Sequence, residues 1–383
     1  MTNVVLLGAT GSIGRSAVRV LRRHADRFRV IGLSASRSAG DLEALAAEFE
    51  PEFAVLAGID PDEHAPSAFT GEWRYGPAAL AEAAADPRAD VVINALVGFA
   101  GLESTIAALE AGRRLALANK ESLVVGGELV LEAWRAGGGD IFPVDSEHSA
   151  IHQCIGGRPR AEVRRLILTA SGGPFRDLPI ERFADIRASD ALAHPTWNMG
   201  EKITVDSATL ANKALEVIEA HLLFDIDFDD IDIVVHPSSI VHSLVEFRDG
   251  STLAQLGLPT MELPILYALT APERLADGGE PFDPIASSPL EFEVLRRDAF
   301  PMFGLGVAAG RAGGTAPAAY SAANEVAVAA FLQERIGFTD IARTVESVVR
   351  GWDAGPAGSV PEIVEADGEA RRRALERIEK LAG

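Results

Sequence analysis

Asp145 and Glu147 stand two residues apart in Phe142-Pro143-Val144-Asp145-Ser146-Glu147-His148, after a short apolar approach. At a strand end, i, i+2 spacing points both side chains the same way. Converging carboxylates repel unless a cation or a shared proton lies between them. Hard oxygen donors suit Mg²⁺ or Mn²⁺ better than zinc. A solvated acidic turn would use the same residues, so the rest of the chain has to decide.

A second polar group accompanies them. Asp206-Ser207 reads as an N-cap pair for a helix over 208–224, with an apolar stripe of Leu210, Ala214, Val217, Ile218 and Leu222. On its other side Asn212, Lys213 and Glu216 fall at i, i+1 and i+4 and form one patch. Ser207, Asn212 and Lys213 could hold a phosphate, and Glu216 could be a third carboxylate for a metal; an ordinary solvated face is the alternative. Ser171-Gly172-Gly173, at the exit of a strand over 166–170, has the composition of an anion cradle or of a simple turn. Lys120 follows the strand 115–118, where it could reach a substrate oxygen while Asn119 and Glu121 reach a cofactor. His194-Pro195-Thr196-Trp197-Asn198-Met199-Gly200 has loop composition. Its exposed Trp and Met suit either a lid or static packing. Cys154 lies on the apolar side of a helical stretch and reads as a core thiol rather than a nucleophile.

The elements that would position these residues begin at once. Residues 3–7 read as a buried strand, Gly8-Ala9-Thr10-Gly11-Ser12-Ile13-Gly14 as a glycine turn, and 16–23 as a helix. That order is the dinucleotide-binding context, with the pyrophosphate on the helix N-terminus. After the second strand, 30–33, the chain carries Ser34-Ala35-Ser36-Arg37-Ser38 instead of the acid that bonds a ribose 2′-OH. Arg37 among hydroxyls suits a 2′-phosphate, so NADP(H) is expected rather than NAD(H). Further strands at 53–57, 91–96 and 114–118 alternate with helices at 42–48, 78–84 and 102–110. The expected fold is α/β: a doubly wound, Rossmann-type parallel sheet over 1–140. A central α+β catalytic domain follows over 141–276, holding the metal and substrate residues. Its mostly antiparallel sheet (231–235, then 241–247 and 252–256 flanking Asp249-Gly250) is a candidate dimer surface. Residues 277–314 read as a connector and 315–383 as a helical domain.

Composition narrows the partners. A net charge of −21 over 383 residues argues against nucleic acid and anionic membranes. It also requires any phosphate site to be built locally. The single cysteine and an N-terminus without a basic or apolar signal segment lead us to expect a reducing cytoplasm.

With these pieces in view, the sequence resembles the 1-deoxy-D-xylulose 5-phosphate reductoisomerase family along essentially its whole length. The carriers are GATGSIG at 8–14, ALANKESLV at 116–124, PVDSEHSAI at 143–151, SGGPF at 171–175, HPTWNMG at 194–200, VDSATLANKALEVIEAH at 205–221 and AANEVAVAAFL at 322–332. The resemblance implies a homodimer that rearranges and then reduces a phosphorylated ketose, with NADPH and a divalent metal (Mg²⁺ or Mn²⁺, Co²⁺ a third candidate). It implies metal ligation by Asp145, Glu147 and Glu216, and a phosphate site of Ser171, Ser207, Asn212 and Lys213. Lys120, Ser146 and His194 would make other substrate contacts, and Trp197 and Met199 would belong to a lid. Lys120 and His194 join the carboxylates as catalytic candidates. Thr10, Gly11, Ser12, Ile13, Ser36, Arg37, Ser38, Asn119, Glu121 and Gly200 match cofactor positions. Two residues depart from the pattern: Ala214 where glycine is frequent, and Glu262 where a base is common. A semialdehyde-type dehydrogenase sharing the GATGxxG opening, or a non-catalytic NADP sensor, would be the alternatives.

Overall fold

Val4, Val5, Leu6 and Leu7 are fully buried, as a strand covered on both faces of a parallel sheet requires. The computed structural model describes residues 1–64, 69–193, 196, 197, 199–276 and 278–382. In chain order the first elements are β1 (Thr2–Leu7), α1 (Ser12–Arg23), β2 (Phe28–Ala35), α2 (Ala39–Phe49), β3 (Phe53–Leu56), β4 (Glu72–Tyr75), α3 (Ala78–Ala84), β5 (Val91–Asn94), α4 (Leu102–Glu110), β6 (Arg114–Leu117), α5 (Lys120–Gly137), β7 (Asp140–Pro143) and α6 (Ser146–Ile155). There follow β8 (Val163–Ala170), α7 (Ala188–Ala191), α8 (Glu201–Thr209), α9 (Ala211–Phe224), β9 (Ile231–Val235), β10 (Val241–Phe247), β11 (Thr252–Leu256) and α10 (Glu262–Thr270). The chain closes with β12 (Glu293–Val294), α11 (Pro301–Ala312), α12 (Ala316–Leu332), α13 (Phe338–Val349) and α14 (Val360–Ala382).

Two compact units result. The first comprises Met1–Leu123, Glu128–His152 and the returning segment Thr260–Glu280; the second comprises Val124–Gly127, Gln153–Pro259 and Pro281–Gly383. In the first unit seven parallel strands run in the order β4-β3-β2-β1-β5-β6-β7, the doubly wound sheet expected. The strand order reverses between β1 and β5, which is where such sheets open a ligand crevice at their carboxyl ends. Ala17, Val20 and Leu21 of α1 share one apolar core with Ile265, Leu266 and Leu269 of α10.

The second unit has a mixed sheet in the order β11-β10-β8-β9-β12. Only β8 and β9 pair in parallel, so it is mostly antiparallel, as expected. Asp249-Gly250 forms the β10–β11 turn, with Gly250 at φ +89°. Its helices pack on an aromatic cluster in which Phe338 meets Phe175 at 5.2 Å and Phe331 at 5.8 Å.

Several local readings are corrected. β4 had no counterpart in the sequence reading, and α11 lies inside the stretch read as connector. The carboxylates of Asp145 and Glu147 do not end a strand: β7 stops at Pro143 and α6 starts at Ser146, so they straddle a strand-to-helix junction. Asp206-Ser207 is not an N-cap pair but lies within α8. The break comes at Leu210, in the left-handed region at φ +62°, a conformation that costs a branched side chain strain.

Candidate active site

In the first unit the turn after β1 is fixed by close backbone approach. Gly8 has φ +79°, and a Cβ there would meet the Ala95 carbonyl oxygen at 2.5 Å; one on Gly14 would meet the Gly8 oxygen at 2.1 Å. The Gly8 N–H donates to Ser34 Oγ at 2.9 Å, tying the turn to β2. Gly11 is the N-cap of α1, which has neither a side-chain cap nor an acidic residue in its first turn. Its free N–H groups and positive dipole end suit a pyrophosphate. Thr10, Gly11, Ser12 and Ile13 form this turn, while Ser36, Arg37 and Ser38 stand exposed at the carboxyl end of β2.

Two further strand exits supply polar chemistry. Asn119 caps α5, accepting from the Ser122 N–H, and donates to the Leu96 carbonyl at 2.7 Å and the Gly98 carbonyl at 3.0 Å. It therefore holds the loop after β5 in place, and Glu121 is buried in the same first turn. Lys120, 5% exposed, puts its Nζ 2.6 Å from Asp145 Oδ2. On the other carboxylate oxygen, His148 Nδ1 stands at 3.3 Å. Burial opposes ionisation of Asp145, but Lys120 and His148 outweigh it and hold the carboxyl well below the usual range. Asp145 also takes the N-cap role for α6, its carbonyl accepting from Ser149 N–H at 2.8 Å and its carboxylate from Glu147 N–H at 3.3 Å. Ser146 Oγ donates to Glu147 Oε2 at 2.5 Å.

In the second unit Gly172 and Gly173 both have positive φ, +83° and +69°, conformations that favour glycine. A Cβ on Gly173 would approach the Ser207 carbonyl oxygen at 2.8 Å, so the turn carrying Ser171 is packed directly against Ser207. Lys213, 4% exposed, donates to the Thr169 carbonyl at 2.5 Å and pairs with Glu216, which also accepts from Asn212 Nδ2. Ser171, Ser207, Asn212, Lys213 and Glu216 thus gather around one strand exit. Trp197 and Met199 are half-buried, Trp197 with its ring 6.4 Å from that of His242. Gly200 is the N-cap of α8. His194 lies outside the described residues.

Each departure packs within its own unit. Ala214 is fully buried, and its Cβ would lie 2.6 Å from a Cβ built on Gly306 of α11, so it fills a helix–helix notch. Glu262 is bound to α1 through Arg19 and Arg23. His148 is the residue that sequence reading missed; its i, i+3 spacing from Asp145 on a helix was the available signal. Cys154 is buried, in keeping with a core thiol.

The donors fit both implied groups: an uncapped helix start behind a glycine turn for a dinucleotide, and hard-oxygen carboxylates for a divalent cation. Fold and site together define an NADP-dependent oxidoreductase of the doubly wound class with acidic, metal-type chemistry. The family models for 1-deoxy-D-xylulose 5-phosphate reductoisomerase match residues 4–127, its C-terminal domain residues 141–224, and a DXP reductoisomerase C-terminal domain residues 256–373. The reductoisomerase of Ralstonia nicotianae is 48% identical, covering 98% of this chain and 97% of its own; that of Cupriavidus metallidurans is 47% identical with both chains covered in full. The chain belongs to the 1-deoxy-D-xylulose 5-phosphate reductoisomerase family. A solved structure of DOX-P reductoisomerase with NADPH, fosmidomycin and magnesium superposes at TM-score 0.94, with 40% identity and coverage of 100% of this chain and 99% of that one. The Zymomonas mobilis enzyme in complex with NADPH gives 0.91 at 42% identity, covering 99% and 100%. Neither alternative, the semialdehyde-type dehydrogenase or the non-catalytic sensor, is favoured by these matches.

Proposed function

We propose that the chain converts 1-deoxy-D-xylulose 5-phosphate to 2-C-methyl-D-erythritol 4-phosphate, an isoprenoid precursor, using NADPH and a divalent metal. The observation that carries this is near-half identity to named reductoisomerases over the full length of both chains. When bound, NADPH supplies a hydride and the cation supplies Lewis-acid polarisation of substrate oxygens. Asp145, Glu147 and Glu216 hold that cation. Ser171, Ser207, Asn212 and Lys213 bind the phosphate, which answers the need for a locally built anion site in a chain of net charge −21. Lys120 and Ser146 orient the substrate oxygens together with His194, and Trp197 and Met199 cover them against water. Thr10, Gly11, Ser12, Ile13, Ser36, Arg37, Ser38, Asn119, Glu121 and Gly200 serve the cofactor.

The functional division we propose is cofactor binding over 1–140, catalysis over 141–276, a connector over 277–314 and a helical domain over 315–383. Among the described residues no helix is long and apolar enough to cross a membrane. The acidic charge supports a protein that engages neither anionic membrane nor nucleic acid, and the family resemblance implies a cytoplasmic homodimer. The decisive assay is NADPH oxidation with the ketose phosphate and Mg²⁺ or Mn²⁺, with and without chelator. Turnover that vanishes on chelation and is blocked by fosmidomycin is the expected result. Metal-independent turnover, or none from folded protein, would overturn the reading.

A further inference from the structure

Glu262 opens α10, the helix by which the chain returns to the first unit after building much of the second. Its carboxylate accepts from Arg19 Nε at 2.6 Å and from Arg23 Nη2 at 2.8 Å. The two arginines are i, i+4 on α1 and bind one acid together, which fixes the rotation of that helix as well as its distance from α10. Glu262 is only 15% exposed at its side chain, and the apolar faces of the same two helices share a core directly beneath. Arg19 also reaches forward: its Nη2 donates to Ser16 Oγ at 2.9 Å, and that hydroxyl donates to the Ser12 carbonyl at 3.3 Å. A continuous chain of hydrogen bonds therefore runs from Glu262 to the first residue of α1, inside the glycine turn.

We infer that Glu262 is a positioning residue for the dinucleotide-binding turn, acting through Arg19 and Ser16 on the backbone of Ser12. The inference rests on the reading that NADPH lies on the N-terminus of α1. It makes a prediction opposite in sign to plain electrostatics. Removing an acid from a unit that binds a polyanion should tighten binding if only long-range charge mattered; loss of positioning should weaken it.

The test measures NADPH affinity by quenching of protein fluorescence, with steady-state kinetics and a melting curve for each variant. Glu262→Gln is expected to raise the NADPH dissociation constant about threefold, within the range of a partly exposed ion pair. Glu262→Arg, which sets three cations together, is expected to raise it about tenfold, or ~1.4 kcal/mol. In both, kcat at saturating NADPH and the KM for the ketose phosphate stay near wild type. Glu262→Arg combined with Arg19→Glu and Arg23→Glu rebuilds the bridge with reversed charges and should restore most of the affinity. Unchanged or tighter NADPH binding in folded Glu262→Arg, or no recovery in the reversed variant, overturns the inference. A wild-type protein that binds no NADPH would instead remove the cofactor reading on which it stands.

Discussion

Asp145 and Glu216, both proposed metal ligands, each keep a lysine beside the carboxylate, yet the two pairs are made differently. Lys213 and Glu216 are three residues apart on α9, so one helix supplies both partners and their spacing alone brings them together. Lys120 and Asp145 are 25 residues apart in sequence (145 − 120). They meet because β6 and β7 are neighbouring parallel strands in register, Leu117 opposite Pro143, and each ends at the same edge of the sheet. One pair is local; the other is a product of topology. The difference extends to burial: Glu216 is 1% exposed at its side chain, Asp145 16%.

The largest effect separates the proposed metal role of both carboxylates from the cofactor. Asp145→Asn and Glu216→Gln should each lower turnover by about a thousandfold, the scale of several kcal/mol of charge stabilisation. NADPH affinity, measured by fluorescence, should move less than twofold, since neither residue belongs to the turn of α1. If one of the two variants kept near-normal metal-dependent turnover, the pairs would not be equivalent halves of one function.

How much of this was legible follows from the same contrast. The glycine turn at 8–14 could be read because strand, turn and helix are contiguous, and the polar patch of α9 because it repeats at helical spacing. The Lys120–Asp145 pair could not be, since nothing in either segment says that β6 lies beside β7. Asn119 was legible as a polar residue at a strand end, but not as the cap of α5; the helix continues from the strand with no turn signal between. Glu72-Trp73-Arg74-Tyr75 escaped notice because an edge strand, only half buried, has no apolar run. Leu210 hid the α8–α9 break, because a leucine in the left-handed region carries none of the glycine or asparagine signal that marks a helix end.

Stability should rank the pairs by burial. In chelator-treated protein Lys213→Ala should cost about 3 kcal/mol, because it leaves a carboxylate with almost no access to water without its cation, the neutral Asn212 amide still donating to it. Lys120→Ala should cost less, about 2 kcal/mol, since the more open Asp145 keeps His148 and the Glu147 N–H. Saturating Mg²⁺ should recover part of each loss by replacing the missing ammonium. Denaturant melts with and without metal read this directly, and a reversed ranking would show that locality, not burial, governs the cost.

Acid titration sharpens the Asp145 side. Its folded-state pKa is depressed, so ionised Asp145 contributes stability at pH values above the unfolded aspartate value, about 3.9. That contribution is lost as pH falls through the depressed folded value. The stability gap between metal-free wild type and Asp145→Asn should therefore be widest near neutrality and narrow steadily in strong acid. A gap independent of pH would mean that Lys120 and His148 do not hold Asp145 ionised.

The smallest effect is expected at Cys154, which lies on α6 nine residues beyond Asp145 (154 − 145) and takes part in neither pair. It is 7% exposed. Cys154→Ala exchanges a buried sulfur for a smaller methyl and should cost ~1 kcal/mol. NADPH oxidation in the presence of metal should stay within about twofold of wild type, because a retained fold keeps both lysine–carboxylate pairs intact. A semialdehyde-type reaction would need that sulfur as its nucleophile. Near-total loss of turnover in folded Cys154→Ala, with metal dependence abolished as well, would move the chemistry from the carboxylates to the thiol and leave the two pairs as structural ion pairs only.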